Sequence, residues 1–295
     1  MSDEPSPGPI RPDLKEEADR IIEWATRRGV VLRALGGIAI KHYCPSSDKP
    51  DFDRRPKDLD FIGRKKEGKE LKALFEDLGY VPEKGFNALH GHRRLLFLDP
   101  NSAQDIDIFL DRFEMSHELP LASRLEQTDW AIPVADLLLT KLQVAEINRK
   151  DLVDAACILL DHPLAEGDGP GKIDARWIAE LCARDWGLYT TVLDNLAAIS
   201  AGLSDLVSIE DDRAELLQRI QALEERILAE PKTLRWKLRN VIGRRVRWYE
   251  TPEEPGCIAR DTTLLPCRTH DQCPRTHDQC PRTQPLPSDL SVQLL

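Results

Sequence analysis

The sequence has no apolar run near the roughly 20 residues that a helix needs to cross a bilayer. This excludes an ordinary helical membrane protein and leaves no membrane partner to expect. Its first residues, MSDEPSPGPIRPD, lack the positive start and apolar centre of a secretory signal. A cytoplasmic protein is therefore expected. An excess of base is missing too. The 295 residues carry 41 Lys and Arg against 51 Asp and Glu, a net charge of -10. A surface uniformly basic for gripping nucleic acid is excluded, so any such contact has to be local. Cysteine is sparse in the body of the chain. Cys44, Cys157 and Cys182 stand apart without a pairing pattern, as suits a reducing compartment, and the other four of the seven lie towards the end.

What is present is globular in balance, with 41% hydrophobic and 31% charged residues. The length suits one large domain or two ordinary ones. Residues 1–12 read as a disordered leader because proline and small polar residues dominate. Residues 14–28 carry Ala18, Ile21, Ile22 and Ala25 at helical spacing. Residues 30–35 read as a strand closed by Gly36 and Gly37, and a second strand centres on Asp58–Ile62. Residues 69–78 read as a helix stopped by Gly79. Residues 93–98 and 105–110 read as strands joined through the turn sequence at 99–102. From Pro133 onward helical spacing takes over, at 133–162, 173–200 and 209–229, with a Gly-rich break at 167–171.

The expected class is α+β: a small mixed twisted sheet flanked by helices, followed by a helical C-terminal half. The expected division is a catalytic domain over 13–130, a helical domain over 131–250 and a low-complexity disordered tail over 251–295. In that tail RTHDQCP recurs in tandem. Proline in every copy excludes a coiled coil. Cys267, His270, Cys273, His277 and Cys280 imitate metal-ligand spacing there, but the chain between them is too short to fold a site.

The chemistry lies in two Asp-x-Asp strands. Asp58 and Asp60 are two apart, so a strand sends both side chains to one face while Leu59 and Phe61 take the other. Asp105 and Asp107 repeat the arrangement beside Ile106 and Ile108. A lone pair of this kind suits a solvent-facing strand equally well. Two neighbouring strands, however, would gather up to four repelling carboxylates in one patch. Divalent cations offset such repulsion, and hard oxygen ligands suit magnesium or manganese. The glycine pair adds a second signal. A strand, then Gly36-Gly37, then a helix start lets phosphate approach the backbone and meet free amides.

Gly36-Gly37, then Asp58 and Asp60, then a third acid at Asp107 (Asp105 as its substitute) resembles the DNA polymerase beta-like nucleotidyltransferase superfamily. Ile38 follows the glycine pair where the family often has a small residue, and the gap to Asp58 is long. The resemblance implies that Asp58 and Asp60 bind both metals, that Asp107 binds one, and that a nucleoside triphosphate is the substrate. The insertion 44–55 is expected to be a loop over the site. Arg54, Arg55 and Lys57 flank the paired acids, either to meet phosphates or to balance Asp51, Asp53, Asp58 and Asp60.

Further along, Lys141 falls inside the apolar sector of a helix, between Leu137 and Ala145. An uncompensated buried lysine is costly. It either reaches out along its stem or meets negative charge, from a triphosphate or from a carboxylate. Asp136 suits the positive end of that helix. Asp136 and Lys141, followed by Arg149-Lys150-Asp151 and Asp154, resemble the later motifs of the AbiEii-type, toxin-like branch of the superfamily. There the lysine and the Lys-Asp pair belong to the active site. That likeness implies an acceptor such as RNA, above all a tRNA end, or a protein hydroxyl, and an antitoxin protein as partner.

Residues 232–247 hold Lys232, Arg235, Lys237, Arg239, Arg244, Arg245 and Arg247, with Trp236 inside and Trp248 next to the run. Base interleaved with aromatics suits RNA. It equally suits a helix whose tryptophans pack inward. His90 and His92 either line the pocket or sit in a turn. Leu216, Ile220, Leu223 and Ile227 have the spacing of a helix-pairing seam. The leading reading is a metal-dependent nucleotidyltransferase with Asp58, Asp60, Asp107 and Lys141 as the catalytic set. Gly36, Gly37, Arg54, Lys57, Asp136, Lys150 and Asp151 are expected around the nucleotide. The alternatives are transfer to a small, antibiotic-like acceptor and a non-catalytic nucleotide-binding module.

Overall fold

The computed structural model describes residues 7–251, with Arg54 and Ala103 excepted. Helix α1 (Leu14–Arg27) starts where the Asp13 carboxylate accepts from the amides of Lys15 and Glu16. This is the side-chain capping that an N-terminus otherwise lacks. Five strands then build one sheet: β1 (Leu32–Leu35), β2 (Leu59–Gly63), β3 (Val81–Pro82), β4 (Arg94–Leu98) and β5 (Asp105–Leu110). Their order is β1-β2-β5-β4-β3, with β2 and β5 parallel and the other pairs antiparallel. Helices α2 (Gly36–Tyr43), α3 (Gly68–Asp77) and α4 (Lys84–His90) connect them. A short hairpin, β6 (Arg112–Glu114) with β7 (Glu118–Pro120), follows.

Strand alternation decides what each face of the sheet carries. Leu59, Phe61, Leu95, Phe97, Ile106 and Ile108 share one face and are buried. Phe75 of α3 meets Phe61 and Phe97 there, at ring-centroid distances of 6.2 and 5.2 Å. Truncating such a ring costs about 3–5 kcal/mol, so Phe75→Ala removes a large share of the ~5–15 kcal/mol that holds a domain folded. The opposite face is left for Asp60, Arg94 and Asp107.

The helical half comprises α5 (Val134–Leu142), α6 (Arg149–Asp161), α7 (Ala175–Arg184), α8 (Trp186–Ala201), α9 (Leu203–Leu206), α10 (Glu210–Ala229) and α11 (Leu234–Ile242), with a small parallel pair, β8 (Leu164–Ala165) and β9 (Ile173–Asp174), between α6 and α7. The helix expected over 133–162 is therefore two. Asn148 starts the second by accepting from the amides of Lys150 and Asp151. The stretch 173–200 is likewise interrupted at Asp185, which caps α8 through the Leu188 amide.

Leu137, Leu138, Leu139 and Leu142 of α5 are fully buried, so the helix is enclosed on every side. It is also tied to the sheet. Ala34 of β1 donates to Trp130 O at 2.8 Å and accepts from Ile132 at 3.0 Å, just before α5 begins. Leu216, Ile220, Leu223 and Ile227 are fully buried within α10, which packs on α6, α7 and α8. The seam expected to pair copies of the chain is thus spent inside its own core. Among the described residues, no helix is long and apolar enough to cross a membrane.

Candidate active site

Strand β1 ends at Leu35, and Gly36 opens α2 at φ +69. That left-handed conformation is one an L side chain adopts only with strain. No side chain caps the first turn of α2, so its leading amides are donors without an intrahelical partner. The Asp60 carboxylate lies against Gly36, at the start of this turn. A Cβ placed on Gly36 would overlap Asp60 Oδ2 and lie 3.1 Å from Asp60 Cγ. Only glycine gives both the turn and the clearance. Gly37 follows in the same first turn, half-buried.

The β2–β5 register sets Asp60 opposite Asp107, and the β1–β2 register sets Leu35 opposite Asp60. Asp58 lies exposed just ahead of β2, and Asp105 lies at the start of β5 opposite Leu98. Burial, together with the charges of Asp107 and Asp58, pushes the Asp60 carboxyl up to about 7 against the pull of Lys141 and Arg94. Burial also raises Asp107, in spite of its arginine partner. Burial is the leading cause in both cases, and like charge adds to it.

Arg94, which the sequence reading did not single out, is that partner. Its Nε donates to Asp107 Oδ1 at 2.7 Å, and Nη2 pairs with Oδ2, giving a two-pronged clamp. Its guanidinium lies 4.8 Å from the Phe109 ring centre and 5.6 Å from that of Phe86. The available signal was the second of two adjacent bases, Arg93 and Arg94, leading into the apolar run Leu-Leu-Phe-Leu.

Lys141 does not snorkel. Its Nζ sits 3.0 Å from Asp151 Oδ1 and 2.9 Å from Asp154 Oδ2. Burial works to lower its pKa, yet Asp154 and Asp151 outweigh this and raise it, so the ammonium stays charged. The lysine thus neutralises two acids at the start of α6 and still reaches Asp60 electrostatically. Of the two alternatives posed by its buried position, a carboxylate partner is the one observed.

Other expected residues fall elsewhere. Asp136 is fully buried, with Oδ2 2.5 Å from Arg124 Nε and Oδ1 accepting from Trp177 Nε1 at 2.7 Å. Its oxygens are used inside the core, which corrects the expectation that it meets nucleotide. Lys150 is exposed on α6 and does not join the Lys141 cluster. Lys57 and Arg55 are exposed beside Asp58, and Arg54 lies outside the described residues. The insertion 44–55 is not a free loop over the site. It docks on the helical half: Ser46 N donates to Asp161, Lys49 pairs with Asp212 at 2.7 Å, and Asp51 accepts from Ser208. The tail ligand pattern from Cys267 to Cys280 lies outside the described residues.

The basic segment folds as α11 and a following turn. Trp236 meets Tyr189 edge-on at 5.1 Å and Trp248 meets Trp186 at 6.1 Å. Both tryptophans are half-buried and held edge-on against the body of the protein. A cavity of about 690 Å³ remains beside them, lined by Arg184, Arg235, Arg239 and Arg247 with Trp236 and Trp248. It shares Arg93, Glu114 and Met115 with a smaller cavity that Arg94 and His90 line. His90 closes α4 and His92 lies in the turn that follows.

No family model matches the chain, and no curated protein matches it. Among solved structures the chain is similar to the solution structure of the antibiotic-resistance factor ANT(2'')-Ia. The identity is 14%, over 71% of this chain and 94% of that one, with a TM-score of 0.28.

A divalent cation fits the carboxylates in part. Asp60 is held up to about 7 by burial first and by its negative neighbours Asp107 and Asp58 second, and a cation would offset the second. Asp58, two residues before it, is unburied and near. Asp107, by contrast, has both oxygens engaged by Arg94. Among the described residues, the three aspartates do not close into one ligand set.

Proposed function

We propose that this chain is a metal-dependent nucleotidyltransferase, moving a nucleoside monophosphate from a nucleoside triphosphate to an acceptor hydroxyl. One observation carries the reading: Asp60 stands between the uncapped first turn of α2 and Asp107. Amides that favour anions and carboxylates that favour cations adjoin at one residue, which is the pairing a metal-bound triphosphate needs. Asp58 and Asp60 would hold the ion, with Asp107 joining when Arg94 releases an oxygen. A bound divalent ion supplies charge neutralisation at the phosphates.

In the reaction, the acceptor oxygen forms a bond to the α-phosphorus. The bond from that phosphorus to the oxygen bridging to the β-phosphate breaks, pyrophosphate leaves, and the hydroxyl proton passes to a carboxylate. The first turn of α2 positions phosphate oxygens, and the positive charges of Arg94 and Lys141 face the developing negative charge. Arg184, Arg235, Arg239 and Arg247 in the larger cavity support RNA as acceptor over a small molecule, although Glu114, Glu118, Asp185 and Glu250 share its wall.

The test is incubation with each labelled triphosphate, magnesium and total RNA. Label should enter RNA with the native chain and not with Asp60→Ala, whose circular dichroism should match the native protein. Retained transfer by Asp60→Ala ends the assignment. Arg235→Glu with Arg247→Glu should weaken RNA labelling while leaving triphosphate binding unchanged.

A further inference from the structure

Away from the proposed nucleotide site, the far end of α2 meets the far end of α6 in a cluster of metal-ligand type. One oxygen of Asp161 and the sulfurs of Cys44 and Cys157 all lie within 4.8 Å of one another, and both cysteines are buried. His162, next to Asp161, brings Nε2 to 3.6 Å from Cys44 Sγ. Two ligands of one tetrahedral zinc, a sulfur at ~2.3 Å and a nitrogen at ~2.0–2.1 Å, stand about 3.6 Å apart.

The surroundings orient the candidate ligands. His162 Nδ1 lies 3.1 Å from Gly171 O, so Nδ1–H donates to that carbonyl and Nε2 presents a lone pair towards Cys44. A carbonyl fixing the second ring nitrogen is the usual support of a metal-bound imidazole. Asp161 Oδ2 accepts from Ser46 N at 2.7 Å, which anchors the carboxylate. Lys49, whose pKa is raised chiefly by its hydrogen bond to Asp212, also feels Asp161.

We infer that Cys44, Cys157 and Asp161, whose ligand atoms lie together, hold a structural zinc that fastens α2 to α6, with His162, near Cys44 but outside that trio, drawn in as the fourth ligand. On binding, each thiol loses its proton to solvent and four ligands close round the ion. The mixed sulfur, nitrogen and oxygen set suits zinc rather than magnesium or calcium. Its place gives it a role. Helix α2 begins at Gly36 and ends one residue before Cys44, while α6 carries Asp151 and Asp154 at one end and Asp161 at the other. A clasp here fixes the α2 first turn relative to the Lys141 cluster.

The test uses the full chain with Cys257, Cys267, Cys273 and Cys280 changed to serine, so that the tail thiols cannot contribute. Elemental analysis after purification should find one zinc per chain. Cobalt exchanged for the zinc should show thiolate-to-cobalt charge transfer and the intense visible bands of a tetrahedral site. Cys157→Ser and His162→Ala should each lower zinc content. Chelation should increase amide hydrogen exchange in α2 and α6. No zinc and no tetrahedral cobalt spectrum in the otherwise native core overturns the inference, and that reading needs no core substitution. A Cys44–Cys157 disulfide found by mass spectrometry overturns it as well. So does zinc that stays bound to a folded Cys44→Ser/Cys157→Ser chain.

Discussion

Gly36 has no side chain where Asp60 has its carboxylate: a methyl group at 36 would occupy the space of Asp60 Oδ2. Gly36→Ala therefore suffers twice. The residue must hold φ +69, at about 1–2 kcal/mol, and it must push Asp60 away from α2. We expect a loss of stability on that order or larger, and loss of nucleotide transfer. In an Asp60→Gly background the contact vanishes while the backbone strain remains. The stability cost of Gly36→Ala should then shrink towards the strain alone, as read by chemical denaturation of the four proteins of the cycle. An equal cost in both backgrounds would show that the two residues do not press on one another.

Arg94 and the proposed metal compete for the same oxygens of Asp107. Arg94→Gln should free them and tighten magnesium binding, by roughly tenfold if the exchange is worth ~1.4 kcal/mol. Transfer should nevertheless fall, because a positive charge beside the reacting phosphates is lost. Calorimetric titration with magnesium and single-turnover transfer read the two effects separately. Weaker magnesium binding in Arg94→Gln would mean that the arginine organises the site rather than shielding it.

The part of the site that follows from alternation was legible in the sequence. Asp60 and Asp107 share a face because strand side chains alternate, and Leu59, Phe61, Ile106 and Ile108 demand the other face, while Asp58 falls just outside the strand that alternation assumed for it. The class of fold followed from strands first and helices after. What depends on register or on three-dimensional closure was not legible. Arg94 reaches Asp107 only because β4 lies antiparallel to β5 with Leu96 opposite Asp107. Asp136 looked like a charge placed for the helix dipole, but its partners Arg124 and Trp177 arrive from distant parts of the chain. The break between α5 and α6 did have a local signal, the capping Asn148, which apolar periodicity alone overrides. Cys44 and Cys157 are 113 positions apart by their numbers, so no spacing rule joins them.

Lys141 with Asp151 and Asp154 is a buried charge cluster, and breaking one side of it leaves acids without compensation. Lys141→Met should cost about 3–5 kcal/mol, the usual penalty for removing one member of a buried pair. Asp154→Asn added to Lys141→Met should recover part of the loss. Thermal unfolding of the single and double variants measures it. A double variant no more stable than Lys141→Met would show that the lysine acts through something other than these acids.

His117 gives the fold a dependence on acid. It is buried, and burial holds its imidazole down at about 4 although Asp185 pulls the other way. Its Nε2 lies 2.8 Å from Thr191 Oγ1, which also accepts from Trp248 Nε1 at 3.1 Å. In the unfolded chain a histidine binds its proton near 6.5. Between about 6.5 and 4 the unfolded state therefore binds more protons, and stability falls as pH falls through that window. The loss is on the order of 3 kcal/mol once both states are protonated. Asp60 and Asp136, held up to about 7 and about 6, act with the opposite sign because their folded forms keep protons longer. The total curve mixes these effects, so the difference from His117→Gln isolates the histidine. At pH 8 the native chain should be the more stable of the two, and by pH 4 its margin should narrow or reverse. Urea midpoints at the two pH values decide it: a margin that does not change with pH would mean that burial leaves His117 with its unfolded-state pKa.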